Sequence, residues 1–82
     1  MEVTMALYCE NEDEVRYLFG DPSSKSRGIM RIDKHDPYES EIITMPDDGS
    51  CDMRLAKRAI VKLIKMALDG EYPQKLGYCP GW

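Results

Sequence analysis

The chain opens on an alternation of period two. Val3, Met5, Leu7 and Cys9 are separated by Thr4, Ala6 and Tyr8, the spacing of a strand with one face turned to a core. Glu10 to Glu14 then interposes five polar residues, four of them acidic, which neither fill a core nor propagate a sheet, and so read as a turn. The next stretch supports two periods. Asn11 and Glu14 have the spacing of a capping box, followed by Val15, Leu18 and Phe19 at helical intervals. Val15, Tyr17 and Phe19 also alternate with Arg16 and Leu18, in residue types that favour a pleated surface. A two-turn helix is marginal alone and the first strand needs a hairpin partner, so a strand over 14–19 is expected.

Gly20 to Ser26 reads as a loop, and it lacks the glycine-rich run closing on Gly-Lys-Ser or Gly-Lys-Thr with which a phosphate loop meets a helix. Two further strand patterns follow at 28–33 (GIMRID) and 41–45 (EIITM), connected through a turn set by Asp36 and Pro37. Pro46, Asp47, Asp48 and Gly49 stop the last of them. The alternating oxygen ligands of a calcium loop are missing there, so the aspartates read as turn residues.

From Asp52 to Asp69 the period changes to that of a helix. At about 100° per residue, Arg54, Arg58, Lys62, Lys65 and Asp69 share one stripe, while Ala56, Ile60, Leu63 and Ala67 lie opposite it. Met53, Ala59 and Ile64 widen the apolar side, and Leu55, Val61, Met66 and Leu68 carry it round the flanks. Ser50 or Asp52 can cap the first turn and Gly70 can close the last. The apolar arc exceeds what one sheet covers, which predicts either a cover from the following segment or a homodimer through the flank residues Leu55, Val61, Met66 and Leu68. In that segment, 71–82, prolines and glycines argue against regular structure, yet Tyr72, Leu76, Tyr78 and Trp82 argue for burial over a helix flank. The expected fold is therefore α+β: a four-stranded antiparallel β-meander in chain order, one long C-terminal amphipathic α-helix on one face, and an irregular aromatic tail. It forms a single small domain over 1–82.

Charge sharpens this picture more than composition does. The formal charge of −4 conceals two halves of opposite sign. Through Ser50 there are twelve acids against five bases, and beyond it three acids against six bases. Such asymmetry argues for oriented association or for neutralisation between parts of the fold. Glu10, Glu12, Asp13 and Glu14 at one hairpin end, with Asp33, Asp36, Glu39 and Glu41 around the second, are expected to form an acidic surface that steers toward a basic partner protein, as in an inhibitor, an immunity-type protein or a regulator. The alternative is a nucleic-acid or acidic ligand on the basic stripe of Arg54, Lys57, Arg58, Lys62 and Lys65, which the acidic pI of about 4.9 disfavours.

A second alternative is a small cysteine-dependent enzyme, with Cys51 at a helix start and His35 as base. Asp47, Asp48 and Asp52 would oppose thiolate formation there, and catalysis is not expected. Cys9, Cys51 and Cys79 are odd in number and widely spaced, with neither a Cys-x-x-Cys pair nor a second histidine. They read as partly buried packing residues of a reducing compartment, with no metal or cofactor expected. No apolar run approaches the ~20 residues of a membrane span, and Glu2 stands where a secretory leader would carry a base, so a cytoplasmic protein is expected.

Overall fold

A computed structural model describes residues 2–79. Five strands and one helix follow one another as β1 (Val3–Glu10), β2 (Glu14–Gly20), β3 (Gly28–Asp33), β4 (Glu41–Thr44), α1 (Met53–Leu68) and β5 (Lys75–Tyr78), with a short 3-10 turn at Pro37–Glu39. The first four strands form the expected antiparallel meander. The segment after the helix adds a fifth strand beside β1, giving the order β4-β3-β2-β1-β5.

Residues 14–19 are extended, and the reason lies in the inner face of the sheet. Val15, Tyr17 and Phe19 are fully buried, and they sit opposite Ile32, Met30 and Gly28 of β3. On the other side Tyr17 and Phe19 meet Leu7 and Met5 of β1. A helix here could not offer every second side chain to both neighbours at once. The Asn11 signal is nonetheless used: its Oδ1 accepts from the amides of Asp13 and Glu14 at 2.8 and 2.9 Å, closing a hairpin turn instead of opening a helix.

Helix α1 lies across this inner face. Asp52 is the cap, its Oδ1 accepting from the Leu55 amide at 2.7 Å, and Gly70, at φ 77°, lets the Glu71 amide reach back to the Met66 carbonyl at 2.9 Å. Ala56, Ala59, Ile60, Leu63 and Ala67 enter the core with Val3, Met5, Met30 and Ile32. Leu55 is buried with them and does not belong to the uncovered flank, whereas Val61 and Leu68 are exposed and Met66 is half-buried.

The irregular tail is the main correction to the expected architecture. Lys75–Tyr78 pairs with β1, placing Leu76 opposite Met5 and Tyr78 opposite Val3, with both side chains packed against the core beside Tyr72. An edge strand needs a ladder on one side only, so four residues bounded by prolines suffice. This segment covers the β1 edge of the sheet and meets the helix through the Lys62 ammonium at the Gly77 carbonyl, while Val61 and Leu68 on the helix flank stay exposed. Trp82 lies outside the described residues.

Candidate functional site at the acidic end of the sheet

In an antiparallel meander the β1–β2 and β3–β4 connections leave the same end of the sheet. All eight acidic residues singled out above therefore converge: Glu10 closes β1, Glu12 and Asp13 occupy the turn, Glu14 opens β2, Asp33 closes β3, Asp36 and Glu39 belong to the next connection, and Glu41 opens β4. Register brings them together across strands, since Glu14 pairs with Asp33, and Arg31 with Glu41.

Most of these carboxylates already have partners. Arg16 and Arg31 stand directly opposite each other on the outer face of the sheet, a like-charge pair that would be unfavourable alone. Glu14 lies between them, in contact with Arg16 and 3.9 Å from Arg31. Arg31 also reaches Asp33 at 3.5 Å and Glu41 at 3.6 Å, and donates to the Glu39 carbonyl at 3.1 Å. Lys34 pairs with Glu10 at 2.6 Å and holds its ammonium 5.5 Å from the centre of the Tyr72 ring. His35 bonds Asp13 at 2.9 Å. Asp33 accepts from the amides of Asp36 and His35, which hold its carboxyl below the usual aspartate value, and Asp36 accepts from the Tyr38 amide at 3.2 Å.

Glu12, Asp36 and Glu39 enter no ion pair among the described residues. Eight carboxylates against Arg16, Arg31 and Lys34 leave a formal excess of five negative charges at this end. Glu14, Asp33 and Glu41 thus serve the sheet, while Glu12, Asp13 and Glu39 give the end its outward sign. The role of Arg16 and Arg31 was missed in the sequence, because their meeting depends on the β2–β3 register.

The basic residues Arg54, Lys57, Arg58, Lys62 and Lys65 are all exposed on α1. Lys62 donates to the Gly77 carbonyl at 3.2 Å, tying the helix to β5, and the other four enter no ion pair among the described residues. The acidic end and the basic stripe therefore do not neutralise each other.

Cys51 is buried, and its thiol donates to the Asp52 carbonyl at 3.6 Å. Burial, then the charges of Asp52 and Asp21, push its pKa up, the setting of an inert thiol rather than of a nucleophile. His35 is held by Asp13 at the acidic end. Cys9 and Cys79 are exposed, so the burial expected of the cysteines is found at Cys51 and not at these two.

At the opposite end of the sheet, Ser26 donates to Asp47 at 2.7 Å, and Ser24 donates to Asp48, whose carboxyl the Ser24 and then the Ser50 hydrogen bonds lower to about 2. The same loop turns its carbonyls toward Arg27, which donates to Asp21 at 3.1 Å and Ser26 at 2.9 Å. That is the polarity opposite to a phosphate cradle. No helix among the described residues is long and apolar enough to cross a membrane. No protein-family model matches the chain, and neither a curated protein nor a solved structure matches it.

Proposed function

We propose that this chain is a small protein-interaction module of a reducing, cytoplasmic setting that docks a basic partner protein through the acidic end of its sheet, acting as an inhibitor, an immunity-type protein or a regulator. The observation that carries the reading is the convergence of eight carboxylates from separate chain segments on one end, with an excess of five negative charges. Surface fields of one sign steer encounter and reject partners of like charge. Arg16 and Arg31 suit the same role, because they hold Glu14, Asp33 and Glu41 in place and lower the ordering cost of a charged contact.

The second reading, an acidic or nucleic-acid ligand on α1, is favoured by the absence of acid partners for Arg54, Lys57, Arg58 and Lys65 among the described residues. It ranks lower because a basic outer stripe is also the ordinary solvated face of an amphipathic helix. Capture from the source cell separates the two. A Glu12→Gln, Asp13→Asn, Glu39→Gln variant should lose a basic protein that the native chain retains, and an Arg54→Gln, Arg58→Gln variant should keep it. Loss with the helix variant alone, or recovery of nucleic acid, would overturn the acidic-end reading.

A further inference from the structure

On the outer face of the sheet, away from the helix, Thr4 and Ala6 of β1 stand opposite Gly20 and Leu18 of β2 on one side and opposite Gly77 and Lys75 of β5 on the other. Gly20 and Gly77 carry no side chain, and the space above each is taken from elsewhere. A Cβ on Gly20 would stand 3.1 Å from Nη1 of Arg27, and one on Gly77 would stand 3.0 Å from the Glu2 carboxylate. Arg27 and Glu2 thus stand on either side of Thr4, as Leu18 and Lys75 stand on either side of Ala6. Between these walls, which rise from strands about 10 Å apart, a trough of about 490 Å³ runs along β1. That volume lies in the range of small-ligand sites, about 300–1,000 Å³, which likewise join an apolar floor to a few charged groups.

We infer that this trough binds a small monocarboxylate with a flat apolar body. The charges at its walls select the head group. Arg27 and Lys75 against Glu2 leave one formal positive charge, and neither cation enters an ion pair among the described residues. Arg27 is also held in place. Its hydrogen bonds among the described residues all run from Nη1, to the carbonyls of Asp21, Ser24 and Ser26, so the loop fixes the guanidinium and leaves Nε and Nη2 to pair with a carboxylate. A group fixed in this way loses little further freedom when a ligand arrives. The floor selects the body. Ala6 and Leu18 offer apolar surface, and Thr4 donates its hydroxyl to the Gly20 carbonyl at 3.2 Å, so its one side-chain donor is already used. The site lies on the sheet face and does not rest on the acidic-end reading.

Titration with naphthoate, followed by amide NMR shifts, tests it. The native chain should bind with a dissociation constant of about 1 mM or below, the scale that binding energy per atom sets for a ligand of this size. The shifts should fall on Thr4, Ala6, Leu18, Lys75 and Gly77. Naphthylmethylammonium, similar in shape and opposite in charge, should bind at least about tenfold more weakly. Lys75→Glu, at an exposed position, should weaken naphthoate at least about tenfold, and Ala6→Phe, which fills the floor, should abolish the shifts. Circular dichroism checks that both variants stay folded, and Lys75→Glu decides alone if Ala6→Phe unfolds. Arg58→Gln, on the helix, should leave the affinity unchanged. No saturable shift at the trough amides, shifts confined to α1, equal binding of the ammonium, or an affinity untouched by Lys75→Glu would each overturn the proposal.

Discussion

Tyr17 ties the last segment of the chain to the middle of the sheet, and its hydroxyl can be removed with little else disturbed. The side chain is 0% exposed, and its hydroxyl donates at 2.9 Å to the carbonyl of Pro73, 56 residues away. Tyr17→Phe keeps the ring among Leu7, Met30 and the helix, and deletes one hydrogen bond. A buried neutral bond is worth about 0.5–1.5 kcal/mol net, and the half-buried Pro73 carbonyl regains water only in part, so a loss of about 1 kcal/mol is expected. In a domain of this size that lowers the melting temperature by about 4–8 °C. Urea titration should show a lower midpoint at unchanged slope, and β5 amides should exchange faster. The hydroxyl also leaves a signature in pH. Burial first, then the negative charges of Glu10 and Tyr72, push its pKa up to about 12 from 10. The folded state thus retains a proton that the unfolded chain loses, and this contribution is complete below pH 10 and lost as pH rises to 12. Tyr17→Phe should remove that part of the alkaline decline. A variant as stable as the native chain, with the same alkaline limb, would refute the bond and the anchoring of β5 through it.

Ile60→Asp, at a site 7% exposed in the core, should unfold the chain by circular dichroism, whereas Arg58→Ala on the outer stripe should shift stability by less than about 0.5 kcal/mol. Gly28→Ala should cost about 1–3 kcal/mol in chemical unfolding, because a Cβ there would stand 2.4 Å from the Thr44 carbonyl and 2.5 Å from the Phe19 ring. Cys51 should react with a disulfide reagent at pH 7 more slowly than exposed Cys9, and an equal or faster rate would revive the thiol as a nucleophile.

How much of this was legible depended on whether a feature is local. The alternation of Val3, Met5 and Leu7 in β1 and the 3.6 period of α1 are properties of contiguous residues and stand where the pattern put them. A bulge between Leu7 and Cys9, by contrast, sets exposed Cys9 opposite Arg16 and ends the expected alternation one residue pair early. The Val15, Tyr17, Phe19 alternation competed with a helical reading until neighbouring strands on both sides could be counted. β5 was hidden because Pro73, Gly77 and Pro80 mask a four-residue alternation, and only the open edge of β1 explains why it extends. Leu55 fell on a flank of the helical wheel, yet it is buried with the core residues. At the acidic end, hairpin topology alone gathers the eight carboxylates. The division of labour among them was not legible, since Glu14 becomes a bridge only when register sets Arg16 opposite Arg31.

The association rate of the captured partner, followed from low to high salt, tests the proposed role of the acidic end most directly. For the native chain the rate should fall steeply as salt screens the field, since the Debye length shrinks from about 30 Å at 0.01 M to about 8 Å at 0.15 M. The Glu12→Gln, Asp13→Asn, Glu39→Gln variant should associate more slowly at low salt, converge on the native rate at high salt, and dissociate at a nearly unchanged rate. A salt dependence untouched by that variant but flattened by Arg54→Gln, Arg58→Gln would place the contact on the helix and contradict the account.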